Sequence, residues 1–506
     1  MKAFAILLAV CAAALLNAQA SDRTADFYQI ENIPAPPGVE PEIGGLTTLP
    51  DGRIAACFHQ GEVAIYDPQR KMWKTFAEGL HEPLGILAER DGSLLVMQRA
   101  ELTRLRDRDG DGVADRYETV WDGFGLSGNY CEFGFGPVRG ANGRLYVSLN
   151  LASNGAGIRE EIRGQWCDIG VPRDQFYTAW KKVSGKVGRM YSRVPWRGWV
   201  MELDPATGAV TPFACGFRSP DGLGFDAHGN LLVSDNQGDW RGTSELHIVR
   251  RGGFYGHPAS LVWRDGWDGT PPLETPIERL DALRTPAAIW FPHNTFACSP
   301  TQPVVIPRTP VWGPFGGQVL IGEMNYPRLF RVLLEKVDGV WQGACVTLAD
   351  SELLRRGLHR LAFAGDSLWI GRTHLSWAGS EGIATLRPSG KVPFDVLEMH
   401  AAPHGFRIEF TAPLAGSAAD PSLWLAQSYT YAYHADYGSP QLEKTAVVPA
   451  GITLCENGRI AEVELPELRA NFVYEFNLAK LTASNGEPIF NPHVAYTLRR
   501  LPPPKR

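Results

Sequence analysis

One pattern recurs along the chain and restricts its fold more than any other. An apolar strand, a tight turn with glycine and a second apolar strand appear as "GGLTTLPDGRIAACF", "PLGILAERDGSLLVM", "EFGFGPVRGANGRLYVSL", "PDGLGFDAHGNLLVSD", "GPFGGQVLIGE" and "HRLAFAGDSLWIGR". Turns such as Asp51-Gly52 and Asn142-Gly143 are hairpin signals, because glycine reaches the left-handed backbone region at no steric cost. The units follow one another at intervals of about 40–50 residues, the spacing of propeller blades. Two intervals are longer, and insertions around 150–195 and 252–310 account for them. A β-sandwich of similar hairpins rarely supplies six such units in series. The expected fold is therefore all-β: a six-bladed β-propeller over residues 21–390. After "RPSGKVP" the character changes. "FRIEFTAPL", "AEVELPEL" and "NFVYEFNLAKL" alternate apolar and polar residues. They predict a second, smaller domain over 394–506, most simply an antiparallel β-sandwich. It carries no cluster of His, Cys and carboxylate that reads as catalytic.

The start of the chain reads as an export signal. "MKAFAILLAVCAAALLNAQA" has one lysine, an apolar stretch and then Ala18-Gln19-Ala20, a small-x-small cleavage pattern. The stretch is short for a membrane anchor, and Asn17 interrupts it. Residues 1–20 are expected to be removed, leaving a chain in the periplasm or outside the cell, with no membrane span. Formal net charge is −6 and no basic run occurs, so nothing points to a nucleic-acid partner. Beyond the leader stand Cys57, Cys131, Cys167, Cys215, Cys298, Cys345 and Cys455. They are odd in number and far apart, which leaves room for one or two disulfides and no disulfide framework. No C-x-x-C pair occurs, which excludes a c-type haem site and a zinc knuckle.

"DRDGDGVADRYE", Asp107 to Glu118, matches D-x-D-x-D-G-x5-E in full. Calcium takes six to eight hard oxygens, and this spacing supplies them. The expected ligands are the carboxylates of Asp107, Asp109 and Asp111, the main-chain carbonyl of Val113, Asp115 directly or through water, and Glu118. Gly112 permits the sharp turn. An EF-hand would need amphipathic helices on both sides. Here "GSLLVMQRAELTRLR" and "RYETVWDGF" both read as strands. The expectation is a calcium that ties down a loop between strands.

"GFRSPDGLGFDAHGNLLVSDNQGDW" followed by "GGFYGHP" resembles the glucose/sorbosone dehydrogenase family, the soluble PQQ-dependent sugar dehydrogenases. The likeness extends more faintly over about residues 40–386. The chain also looks like large secreted propeller proteins known as membrane-bound dehydrogenases. The resemblance implies PQQ as cofactor and a sugar or polyol as substrate. Residue by residue, Arg218 matches the family's arginine at the cofactor face, and Ser219 stands where the family has Asn. Gly253, Tyr255, Gly256 and Pro258 match the later motif, with His257 in place of Trp. Where the family carries its catalytic histidine, "SGNYCEFGFGP" offers Cys131 and Glu132. Where it carries a cofactor-contacting lysine, "ACSPTQP" holds the approximate place.

The residues also have a reading of their own. Aligning the turns Asp91-Gly92 and His228-Gly229 sets His81 level with Arg218, and Pro83 level with Pro220. The sixth unit places Arg355 or Arg356 near that level, and the third places Glu132. His, Arg and Glu around a channel mouth make a polar-ligand pocket. His81 and Glu132 are the expected catalytic groups; Arg218, Arg356 and His257 are the expected cofactor contacts. Three function classes remain open: a PQQ-dependent sugar or polyol oxidoreductase, a non-catalytic propeller that binds carbohydrate or protein, and a calcium-dependent lactonase-type hydrolase.

Overall fold

The computed structural model describes residues 22–129, 131–153, 163–165, 167, 190–374 and 379–503. The leader expected at 1–20 lies outside the described residues, as does most of the insertion expected around 150–195. The fold is all-β and propeller-like, built of four-stranded antiparallel sheets in series. Sheet one holds Ile43–Thr48, Ile54–Phe58, Val63–Asp67 and Met72–Ala77. Sheet two holds Gly85–Ala88, Leu94–Met97, Leu102–Arg106 and Arg116–Trp121. Sheet three holds Gly134–Arg139, Leu145–Leu149, Trp199–Leu203 and Val210–Cys215. Sheet four holds Gly222–Phe225, Leu231–Asp235, Ser244–Val249 and Ile289–Phe291. Sheet five begins with Val304–Val305, Val319–Gly322, Arg328–Val337 and Val340–Asp350. Sheet six holds Leu358–Ala364, Ser367–Arg372 and Gly382–Pro388, and takes its outer strand from the start of the chain, Tyr28–Ile33.

Local chemistry explains why the first two strands of each sheet pair as they do. In sheet one, Leu49 and Arg53 close the hairpin (N···O 2.8 Å), Gly52 sits at φ +87°, and Asp51 accepts from the Arg53 amide at 3.0 Å. Sheets two, three and four repeat this turn at Gly92, Gly143 and Gly229. A side-chain acceptor and one left-handed residue together fix the register of the two strands. The second strands are almost wholly buried, as Ile54–Phe58 and Leu145–Leu149 illustrate, so they are predominantly apolar. First strands meet at a narrow axial cavity lined by Gly45, Gly136 and Arg360 of sheets one, three and six, and by Leu84, Asp221 and Gln302 just before the first strands of sheets two, four and five.

The C-terminal part forms two further sets of strands. Val396–Ala402, Gly405–Phe410, Ile460–Glu464 and Gly451–Cys455 make one sheet. Leu425–Thr430, Leu442–Val447, Phe472–Asn477 and His493–Leu498 make the other. Between them Phe406 packs against Tyr474, Phe476 and Tyr496, with centroids 4.9–5.7 Å apart. The second set is not separate from the propeller-like part. His493–Leu498 pairs with Val340–Asp350, Val494 opposite Val346, so sheet five continues as an eight-stranded sheet. Leu333, Ala344 and Val346 of sheet five share one core with Phe406 and Tyr496.

Among the described residues no helix is long and apolar enough to cross a membrane. Cys57, Cys215, Cys298, Cys345 and Cys455 carry free thiols.

Candidate functional site

Most of the polar groups of interest lie in loops that precede first strands and follow second strands, at one mouth of the axial cavity, and His257 joins them from the long connection between the third and fourth strands of sheet four. The cavity itself is plugged. Arg360, on the first strand of sheet six, donates to the carbonyls of Gly44 (2.9 Å), Leu84 (3.1 Å) and Asp221 (3.1 Å), crossing to sheets one, two and four. His359 bridges the Ile43 carbonyl (3.1 Å) and the Asp221 carboxylate (2.9 Å). Burial works against ionised Asp221, but His359 and Arg360 hold its carboxyl below the usual range.

Sheet four carries the motif that the sequence singles out. Asp235, fully buried at the end of the second strand, accepts from the amides of Arg218 (2.8 Å) and Ser219 (2.7 Å) and so fixes the loop. Arg218 turns its Nε onto Asp239 at 3.0 Å, and His257 faces the other oxygen of that carboxylate at 3.3 Å. The three side chains are 7%, 3% and 0% exposed. Burial opposes ionisation of Asp239, yet the His257 hydrogen bond and the Arg218 charge hold it well below the usual carboxylate range. Burial pushes His257 down. Asp239 is the residue that the sequence reading passes over. It stands in "DNQGDW", and only the fold reveals that it joins Arg218 to His257. Arg241 backs the cluster, donating to Asp235 at 3.1 Å and to Glu245 at 2.8 Å.

A segment from the C-terminal part covers this cluster. Gly438 donates to the Gly238 carbonyl (2.9 Å), Ser439 to Gly242 (2.8 Å), and the Tyr433 hydroxyl to Gly256 (2.6 Å). A side chain at Gly242 would stand 2.8 Å from the Ala432 carbonyl, so only glycine admits the approach. The Tyr437 ring lies 5.3 Å from the Arg218 guanidinium.

The other expected residues occupy different settings. His81 is 62% exposed at the mouth, beside Glu82. Glu132 is fully buried, with both oxygens bonded to Ser127, from the amide at 2.7 Å and the hydroxyl at 2.6 Å. Near it burial lowers Arg197 to about 10. Arg356 is exposed, and its carbonyl accepts from Ser380 at 2.7 Å. The structure thus brings together Arg218 and His257, and leaves His81, Glu132 and Arg356 in separate environments. The loop holding Cys298 is pinned by buried Glu323, which accepts amides of Cys298, Ser299, Asn325 and Tyr326 at 2.5–2.8 Å. Burial raises its carboxyl to about 7 against those four donors.

The Asp107–Glu118 stretch is a hairpin between the third and fourth strands of sheet two, far along the sheet from the mouth. Asp107, Asp109 and Asp111 bring carboxylate oxygens within 4.8 Å of one another, and Gly112 turns at φ +84°. Asp115 faces Arg108 (3.2 Å), and Glu118 faces Arg116 (2.6 Å) and Arg106 (3.2 Å). Val113 is exposed. The loop is docked on sheet one, where Lys74 donates to the Asp111 carbonyl and Ala114 to Phe76 (2.7 Å).

Residues 46–251 match the family model described as "Domain of unknown function (DUF7133)". No curated protein matches the chain. Solved structures similar to it include the PQQ-bound aldose sugar dehydrogenase of Streptomyces coelicolor, at 16% identity and TM-score 0.48, covering 72% of this chain and 98% of that one. A putative oxidoreductase (glucose dehydrogenase) of Thermus thermophilus is 18% identical at TM-score 0.47, covering 71% and 99%. The PQQ domain of a pyranose dehydrogenase from Coprinopsis cinerea is 11% identical at TM-score 0.47, covering 71% and 95%. The family model spans less than half of the chain and carries no described activity, and these solved structures are similar to the chain at 11–18% identity.

Proposed function

We propose that the chain is an exported six-bladed β-propeller with a C-terminal β-sandwich-like domain, and that its channel mouth binds a sugar or polyol without oxidising it. The observation that carries this reading is the closure of the Arg218–Asp239–His257 cluster. PQQ has three carboxylates and calls for several accessible cations. Of the expected cofactor contacts, Arg218 is buried on Asp239 beneath Tyr437 and His257 is fully buried, which leaves Arg356 as the one that faces solvent. Glu132 is bonded at both oxygens, which leaves it ill placed to take a proton.

The second reading is a PQQ-dependent sugar or polyol dehydrogenase. It is favoured by Arg218 itself, whose Nε alone is held by Asp239. PQQ would supply the electron acceptor there, and Arg218 would hold one of its carboxylates. Calorimetry with PQQ and dye reduction across a panel of aldoses and polyols, with calcium present, decide between the two. Sugar binding without dye reduction is the expected outcome. Dye reduction by the wild-type protein establishes the second reading, and Arg218→Ala should then weaken PQQ binding roughly 10- to 150-fold.

Calcium belongs to this proposal as a structural ion. Asp107, Asp109 and Asp111 would hold it, with the Val113 carbonyl, Asp115 and Glu118 completing the set as Arg108, Arg106 and Arg116 release the two carboxylates. The convergence of three carboxylates around a left-handed glycine supports it.

A further inference from the structure

The loop before sheet two, "GLHEPLG", occupies the same place as "GFRSPDG" before sheet four. In it Glu82 adopts φ +46°, a left-handed conformation for a residue with a side chain. It also precedes Pro83, and a proline drives the residue before it towards extended backbone. Two preferences are overridden at one position, and such strain persists where surrounding contacts impose it, most often at binding and catalytic sites. The surroundings are specific. The His81 amide donates to Gln98 Oε1 at 2.6 Å, the Arg99 amide to the His81 carbonyl at 3.0 Å, and the Leu84 amide to the Met97 carbonyl at 2.9 Å.

The turn aims the Glu82 carboxylate at groups from two sheets. One oxygen faces His59 Nε2 at 3.8 Å, just past the second strand of sheet one. The other accepts from Arg99 Nε and faces His81 Nε2 at 3.9 Å. His59 Nδ1 is buried with no partner. Burial pushes this imidazole towards its neutral form, against the charges of Glu82 and Glu42. The group stays open to solvent: Glu82 is 28% exposed and His81 62%. The imidazoles address opposite oxygens, and among the described residues the carboxylates that gather as a cation would require are those of Asp107, Asp109 and Asp111.

We propose that Glu82, with His59, His81 and Arg99 around it, is the seat of a neutral polyhydroxy ligand, a sugar or polyol whose vicinal hydroxyls donate to the Glu82 carboxylate. This rests on the reading of the channel mouth as a sugar-binding face and assigns the residues that do the binding. A carboxylate accepts only, at two oxygens side by side, and so matches two adjacent hydroxyl donors. Glu82 and Arg99 cancel in charge, so a neutral ligand leaves no charge uncompensated, whereas a tricarboxylate would.

Histidine-selective NMR of the full chain, titrated with D-glucose and D-sorbitol, tests the assignment without any variant. Ring signals of His59 and His81 should move, and that of His257 should not. Glu82→Gln should weaken sorbitol binding about 10- to 100-fold, as expected for lost charge-assisted hydrogen bonds, with the melting temperature nearly unchanged. If sugar binds but moves His257 and not His59, the mouth remains a sugar site and this assignment falls. Wild-type affinity in Glu82→Gln also overturns it. If neither sugar moves any histidine signal or registers in calorimetry, the sugar-binding reading falls and the assignment with it.

Discussion

Two loops of this molecule start from the same plan and end in opposite states. "GFRSPDG" and "GLHEPLG" both lead into a first strand through a proline, and both put charged side chains at the mouth of the axial cavity. In the first, Arg218 is paired, buried and roofed by Tyr437 from more than two hundred residues downstream. In the second, Glu82 carries a strained backbone and remains open. The lesson is that a motif fixes the direction of a side chain but not its availability. Availability depends on what packs above, and here the C-terminal part closes one side of the mouth only.

The largest test of this contrast is stability. Removing one partner of a buried pair leaves a charge with no compensation, at a cost of about 3–5 kcal/mol, whereas a partly exposed pair is worth about 0–1 kcal/mol. Asp239→Ala should therefore lower the urea midpoint sharply and Glu82→Gln hardly at all. Equal losses would mean that the two loops do not differ as described.

Next in size is calcium. The Asp107–Glu118 hairpin of sheet two is docked on sheet one, the pair of sheets that frames the open side. At about 100-fold excess over Kd a ligand of the folded state adds roughly 2.7 kcal/mol. Calcium should raise the melting temperature, Asp109→Ala should abolish most of the rise, and hydrogen exchange should slow in sheets one and two more than in sheet four. A melting temperature indifferent to chelator would remove calcium from the account.

Acid should act chiefly on the closed side. Asp239 has its folded pKa depressed, so its contribution is present above the ordinary carboxylate range near pH 4 and is lost as pH falls through the folded value. His257, held neutral by burial, adds to acid lability below about pH 6.5, because the unfolded imidazole takes up the proton more readily. Stability should fall with acid in the wild type, and Asp239→Asn should flatten the lower limb; an unchanged limb would relieve Asp239 of that role.

The smallest expected effect sharpens the contrast most. Tyr437→Ala removes a partly exposed cation–π contact, worth about 1 kcal/mol, and uncovers Arg218. Modification by an arginine-selective reagent, followed by mass spectrometry, should speed up at Arg218 and stay constant at Arg99.

Much of the fold is legible in the sequence because its signals are local. An Asp or Asn beside glycine, between apolar runs, fixes a hairpin with its own backbone and side-chain bonds, as at Asp51-Gly52 and Asn142-Gly143. The strands on both sides of Asp107–Glu118 are readable for the same reason. The site is less legible because its contacts are distant in sequence. Nothing in "GLHEPLG" announces that His59 will face Glu82, nor that Asp239 will join Arg218 to His257. Likewise, nothing in "HVAYTL" announces that its partner is Val340–Asp350 of sheet five.

The pairing of Tyr28–Ile33 with Gly382–Pro388 carries a consequence in time. The sixth sheet takes its outer strand from the beginning of the chain, so the ring has no latch until some 350 intervening residues have been made and arranged. Contacts so far apart in sequence form late and slow folding. Until then each of the two strands has a bare edge able to accept a foreign strand. A chain that stalls before residue 382 would therefore hold five sheets and an unmatched leading strand, a species poised to associate with its own kind.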